Sequence, residues 1–386
     1  MIKTIAINDL QPDMITEEDV LTKGGQLIVP KGTNLTYKLI SRMMFYNIVS
    51  AVVSVPEPQK NEQPEKAEPV TEKKSPLLKN GFSAIPDEKP PVPLAAYSKK
   101  VMQSKEFLAF QIEFSKVSAS IHFALEGYID KGLTINTDAL LKETKDLYHS
   151  CKTSLELFDM LHNMRSIDDS IHAHSLNVAL IARRIGRWLK FDSDALDTLT
   201  LAGLLHDIGK IKIPEEILNK PGKYTDEEFA LVKQHPQLSY DLLAPLPLDD
   251  HIKLAALSHH ERCDGSGYPS GITQNETDDY AMIIAIADVY DAMTAARSYR
   301  APLCPFQVID KFEKEGLSKY KPQYILTFLS HIANTYQNNR VMLSDGRAAN
   351  IVMLNNNRLA KPIVQLLDGT CIDLSNEPSL HIQSLI

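Results

Sequence analysis

No two cysteines stand close enough in this chain to suggest a clip. Cys151, Cys263, Cys304 and Cys371 are far apart and form no C-x-x-C pair, which argues against a disulfide framework and a zinc ribbon and fits reduced thiols in a cytosol. Nor does any stretch reach the ~18 consecutive apolar residues that a membrane-spanning helix needs. The opening MIKTIAINDLQPDM carries Asp9 and Asp13 where a signal peptide would need an unbroken apolar core. The expectation is a cytoplasmic protein without a membrane partner. A basic block is missing too: the net charge of −8 comes from acidic and basic residues mixed along the chain, so nothing would neutralise a row of phosphates and no long nucleic acid is expected as a partner. A small phosphate ligand stays open, because metals or a few arginines can supply local positive charge.

What the 386 residues do contain is a globular composition, 44% hydrophobic against 23% charged, enough for two or three cores. Residues 1–55 hold the apolar runs Gln26–Val29 and Ile48–Val55, separated by Gly24-Gly25 and Pro30-Lys31-Gly32, which predict a small β-rich domain, with one helix at Tyr37–Tyr46. Nine of the 22 prolines then fall between Pro56 and Pro93 among Glu, Lys and Gln, so residues 56–96 read as a Pro-rich linker. Over 97–165 the apolar residues follow a helical stripe, for example Leu140, Leu147, Cys151, Leu155 and Phe158, which predicts a helical spacer or a segment through which a homodimer forms. Residues 166–335 read as successive helices, one started by the capping box Thr225-Asp226-Glu227-Glu228. The strand-like Ala349–Leu354 and Pro362–Leu367, with turns at Asn355–Asn357 and Asp368-Gly369, predict a small β module over 336–386. The fold class expected is mainly α.

The chemistry concentrates in the helical stretch. Leu204-Leu205-His206-Asp207-Ile208-Gly209-Lys210 is an apolar helix that abruptly presents an imidazole, a carboxylate and an ammonium. Helical spacing would put His206 and Lys210 on one face and Asp207 about 100° round from His206. A single His-Asp pair is most often a satisfied buried pair. Here His174, His235 before Pro236, His259-His260-Glu261, and Asp288 inside Ile283–Val289 accompany it. A carboxylate in so apolar a run is costly unless paired or bound to metal, and the set points to a metal site. Imidazoles and carboxylates without thiolate suit Fe, Mn, Ni or Zn, and two ions about 3.5–4 Å apart can share a hydroxide and clamp both moving oxygens of an in-line displacement, as phosphodiester hydrolysis requires.

His206-Asp207-Ile208-Gly209-Lys210, His235, His259-His260-Glu261-Arg262, Asp264-Gly265-Ser266-Gly267-Tyr268-Pro269 and Asp288-Val289-Tyr290-Asp291-Ala292-Met293-Thr294, in that order, resemble the HD-GYP subgroup of the HD-domain phosphohydrolases. The resemblance covers about Ser166 to Thr335. It implies an all-helical catalytic domain holding two divalent ions, iron or manganese, and hydrolysis of cyclic di-GMP to the linear dinucleotide or GMP. By motif position it implies metal ligation by His206, Asp207, His235, His259, His260 and Asp288, with Asp207 as the bridge. Lys210 would contact a scissile-phosphate oxygen or bridging water. His174 matches an upstream family histidine that serves as a ligand in some members, but Ser170 stands where trinuclear members carry a glutamate. Arg297 and Arg300 occupy positions of basic residues that hold the second phosphate, and Met282 replaces a frequent arginine.

The two glycines of the Gly265–Gly267 loop permit positive φ or close ligand approach, and Tyr268 can stack on a base, so the loop reads as a pocket wall beside His259-His260. His172, two residues before His174, points elsewhere on its helix, and His122, His149, His162, His251, His331 and His381 show no metal-like companions. Cys263 reads as a bystander. Two alternatives stand beside the enzyme: a module that binds cyclic dinucleotide or protein without turnover, and an HD hydrolase of another cyclic dinucleotide, because pocket shape decides guanine against adenine.

Overall fold

The computed structural model describes residues 2–6, 10–11, 14–21, 27–35, 39–40, 43, 48, 50–54, 96–218, 220, 222–295, 303–315 and 317–386. The chain divides into two compact units, 1–93 and 94–386. In the first, β-branched and alternating residues form β1 (Ile2–Ala6), β2 (Ile15–Thr16), β3 (Val20–Leu21), β4 (Leu27–Val29) and β5 (Ser50–Ser54). β5 lies between β1 and β2, antiparallel to both, and β3 pairs with β4. Ala51 and Val53 turn inward from β5 onto Val29, Leu35 and Met43, the period-2 burial of a strand with one covered face. Most of the helix expected at 37–46, the Gly24-Gly25 turn and linker residues 56–95 lie outside the described residues.

The second unit runs α1 (Ala96–Met102), α2 (Lys105–Lys131), α3 (Thr137–Ser150), α4 (Ser154–Met164), α5 (Ile171–Trp188), α6 (Ser193–Leu205), α7 (Glu215–Leu218), α8 (Asp226–Val232), α9 (His235–Leu243), α10 (Asp250–Ser258), α11 (Asp279–Thr294), α12 (Pro305–Glu315) and α13 (Pro322–Thr335). Side-chain caps start most of them: Ser104, Asn136, Thr153, Ser170, Asp192, Thr225, Asp249 and Asp278 each accept a first-turn N–H, and Thr225 completes its capping box with Glu228. Ser170 is therefore committed to opening α5. Among the described residues no helix is long and apolar enough to cross a membrane.

α5, α6 and α11 are the most deeply buried elements, with Leu176–Ala182, Leu204–Leu205 and Ile283–Ala287 at or near zero exposure. The stripe Leu140, Leu147, Cys151 and Phe158 is buried in this same core, so it is consumed within the unit, and a homodimer through 97–165 would have to use other side chains. The chain ends in an antiparallel sheet of β6 (Arg340–Leu343), β7 (Ala348–Met353), β8 (Ile363–Leu366), β9 (Cys371–Asp373) and β10 (Ile382–Leu385), in the order β10-β6-β7-β8-β9. Its inward residues Val341, Ile351, Val364 and Ile382 join the hydrophobic cluster of the helices.

Candidate metal centre

α6 stops at Leu205, earlier than its apolar period suggests. His206 is still helical, but Asp207 turns out at φ −104° and ψ 12°, and the chain enters a 3-10 turn at Ile208–Lys212. Lys210 consequently reaches back onto Asp207, with its Nζ on Oδ2, instead of sharing a helix face with His206. Gly209 makes this turn fit: its N–H donates to Ser239 Oγ at 2.8 Å, and a Cβ there would lie 2.3 Å from the His235 carbonyl oxygen. Only a glycine lets the turn press against the start of α9, and that contact brings Asp207 and His235 together.

Three imidazoles are oriented by backbone carbonyls. Nδ1 of His206 lies 2.8 Å from Gly203 O, Nδ1 of His235 2.6 Å from Val232 O, and Nδ1 of His259 3.0 Å from Ala256 O. A carbonyl oxygen can only accept, so each ring carries its proton on Nδ1 and a bare lone pair on Nε2. Those three Nε2 atoms stand 3.3, 3.2 and 3.6 Å from the carboxylate oxygens of Asp207, and Nε2 of His235 is 3.2 Å from Nε2 of His259. Asp207 and His206 are fully buried, and Asp207 Oδ1 and His206 Nε2 find no hydrogen-bond partner. Lone pairs converging in a dry site without a proton between them call for cations. The donor set fits the divalent ions that the sequence implies.

Burial alone would raise the Asp207 carboxyl, but positive charge beside it, the Lys210 ammonium included, holds it well below the usual range. Burial is also the main reason that His259 falls to about 4, which keeps its ring neutral and available as a ligand.

On the far side of Asp207, His174 from α5 places Nε2 3.5 Å from Asp207 Oδ2 and 3.1 Å from Asp288 Oδ1. Its Nδ1 lies 2.7 Å from Asp291 Oδ2, and Asp291 also accepts from Asn177 Nδ2 at 2.9 Å and faces Arg165 Nε at 3.3 Å. Burial would lower His174, but Asp288 and Asp291 outweigh it and lift it to about 9. A cation among these groups would displace the proton from Nε2, while Asp291 keeps the one on Nδ1. His260 faces Asp288 Oδ2 with Nδ1 at 3.7 Å. His174, His206 and Asp288 thus make one candidate subsite and His235, His259 and His260 another, with Asp207 between them.

Gly267 lets the Asp264–Pro269 loop lie on the backbone of residues 260–262, where a Cβ would come within 2.4 Å of Glu261 Cα. Tyr268 then stacks on His260, ring centroids 4.6 Å apart. Arg297 and Arg300 lie outside the described residues. Met282 is buried in α11, and Cys263 belongs to none of the metal-competent clusters among the described residues. Sequence reasoning assigned no part to Asp291, Asn177, Arg165 or Glu261, whose carboxylate accepts from Ser270 N at 2.7 Å and Gly271 N at 3.1 Å and so pins the loop. Asp288 and Asp291 are three apart on one helix, which was the available signal. One expectation is corrected: His122 does have companions, since its Nδ1 meets His172 Nε2 at 3.0 Å beside Glu126, and His172 points away from His174 as expected.

The family model described as HD domain matches residues 153–324. That segment is an HD domain. Over 207 residues the chain is 33% identical to a cyclic di-GMP phosphodiesterase of Pseudomonas aeruginosa, covering 53% of this chain and 50% of the relative. It is 36% identical over 180 residues to a cyclic di-GMP phosphodiesterase of Thermotoga maritima, 45% of this chain and 48% of the relative. A 3'3'-cGAMP-specific phosphodiesterase of Vibrio cholerae is 30% identical over 229 residues, 58% of this chain and 42% of the relative. The chain spans about half the length of the curated relatives it matches. Among solved structures, an HDG"Y"P protein from Bdellovibrio bacteriovorus aligns with a TM-score of 0.51 at 14% identity, over 85% of this chain and 98% of that one. The HD domain and that protein share a fold.

Proposed function

We propose that the HD domain is a metal-dependent phosphodiesterase acting on cyclic di-GMP. The observation that carries this reading is the convergence of the unprotonated Nε2 atoms of His206, His235 and His259 on the buried Asp207, with Lys210 at its side. His174, His206, Asp207 and Asp288 would hold one divalent ion and Asp207, His235, His259 and His260 a second; donors that are all nitrogen or oxygen suit Fe, Mn, Ni or Zn, and the resemblance to the HD-GYP subgroup selects iron or manganese among them. Bound there, the ions would supply Lewis acidity toward a phosphate oxygen and an activated water.

The protein's own groups do the rest. Lys210, partly exposed beside Asp207, would set an ammonium where charge builds on the phosphate oxygens. Tyr268 presents an aromatic edge continued by Phe229, ring centroids 6.4 Å apart, with Lys233 Nζ 4.6 Å from the Phe229 ring. Such a surface suits a purine base with a phosphate beside it. Gly267 sets the height of that wall, and Arg297 and Arg300 would hold the second phosphate.

Relatives named for cyclic di-GMP and for 3'3'-cGAMP make the second base the point to test. Protein purified without oxygen and loaded with Fe or Mn should be given the two cyclic dinucleotides separately and the products followed by chromatography. A higher kcat/KM for cyclic di-GMP supports the proposal. Turnover of 3'3'-cGAMP alone would reassign the substrate, and inertness toward both would leave a binding module.

A further inference from the structure

We infer that His122, Glu126 and His172 form a binding site for one further divalent cation of the zinc class, apart from the HD-domain centre. His122 and Glu126 are four residues apart on α2 and share a face, and His172 reaches them from the first turn of α5. Nδ1 of His122 is 3.0 Å from Nε2 of His172 and 3.3 Å from Glu126 Oε1, and the three ligand atoms lie within 4.8 Å of one another. A tetrahedral ion with bonds of about 2.0–2.2 Å spaces its ligands roughly 3.3–3.5 Å apart, close to the two separations that His122 Nδ1 makes with its neighbours.

Proton counting favours an ion over a hydrogen-bonded triad. If His122 Nδ1 carries a proton, it serves both neighbours, and His172 then holds its own proton on Nδ1, which is buried without an acceptor. If His172 Nε2 carries it instead, Glu126 faces the bare lone pair of His122. A cation takes one lone pair from each residue at once. His172 is buried while the Glu126 side chain is 45% exposed, which gives the ion a dry floor and an entry path. Two imidazoles and a carboxylate, with a fourth position for water, suit zinc. The site would join the middle of α2 to the start of α5, two residues ahead of His174.

The full chain and its Glu126→Gln and His122→Ala variants should be dialysed against Zn²⁺ and the bound metal counted, once as they are and once in an Asp207→Ala background. Each variant is expected to hold one zinc fewer per chain in both backgrounds, with unchanged circular dichroism. Co²⁺ loading should give tetrahedral visible bands that the variants lack. A folded variant of either kind that keeps the full zinc complement overturns the site. Glu126→Gln changes an exposed group and reads the site even if His122→Ala fails to fold. The Asp207→Ala background keeps the result independent of the proposed catalytic role.

Discussion

Asp291→Asn isolates a residue that touches no proposed substrate and acts only through its neighbours. Its Oδ2 fixes the proton of His174 on Nδ1, and its other oxygen is held by Asn177. Because Asn177 Nδ2 donates to Oδ1, an asparagine would keep its oxygen there and turn its amide nitrogen toward His174. That nitrogen donates, so His174 would move its proton to Nε2 and aim an N–H at Asp288 and Asp207 where a ligand lone pair belongs. Loss of an outer partner of this kind typically costs 10–100-fold in metal affinity or activity, about 1.4–2.8 kcal/mol. Arg165, itself buried, would lose its charged partner, and breaking such a pair destabilises by roughly 3–5 kcal/mol. The assay is a Mn²⁺ titration of both proteins at a temperature where circular dichroism shows each folded. A folded Asp291→Asn protein whose Mn²⁺ affinity and kcat stay within two-fold of the parent refutes the orienting role.

Lys210→Met should lower kcat about 10²–10³-fold, the usual loss for one group aimed at developing charge, and steady-state kinetics would show it; an unchanged kcat would remove the lysine from the chemistry. Stripping metal with a chelator should lower the thermal midpoint, because ions at about 100 times their Kd stabilise the folded state by roughly 2.7 kcal/mol; a calorimetric midpoint indifferent to chelation would contradict the metal centre. A pH effect is expected away from the site, at Asp159, where burial raises the carboxyl to about 7 while the Tyr97 hydroxyl donates to it. The folded state then binds the proton more tightly than the unfolded one, so the contribution is full below about pH 4 and is lost as pH rises through about 7, up to about 4 kcal/mol. Asp159→Asn should flatten urea-derived stability between those limits, and a variant with the parent's pH profile would show that Asp159 is not responsible.

The proposed ligands were legible because their chemistry is expensive where they stand. A carboxylate at Asp288 inside an unbroken apolar run and the doubled His259-His260 stand out without a structure. What the sequence did not show is how they meet. No glycine or proline marks the end of α6 at Leu205, so the step into a 3-10 turn that sends Lys210 onto Asp207 arises from packing of Gly209 on α9. Asp291 and Arg165 lie far apart in sequence, and so do His122 and His172, which leaves their pairing to tertiary structure. In the terminal sheet, β7 and β8 show a clear apolar pattern, whereas β9 is a three-residue strand with no residue fully covered. Strands that short carry little periodicity to read.

The most direct test of the central claim is hydrolysis of cyclic di-GMP by anaerobically prepared, Fe- or Mn-loaded protein beside Asp207→Ala, with metal counted in both. With Asp207 as the shared ligand, the parent should hold two ions at the HD centre and turn over. The variant should lose metal and at least about 10³-fold in rate, in keeping with the several kcal/mol that bound metal supplies. An Asp207→Ala protein that keeps both its metal and its hydrolysis would contradict the account.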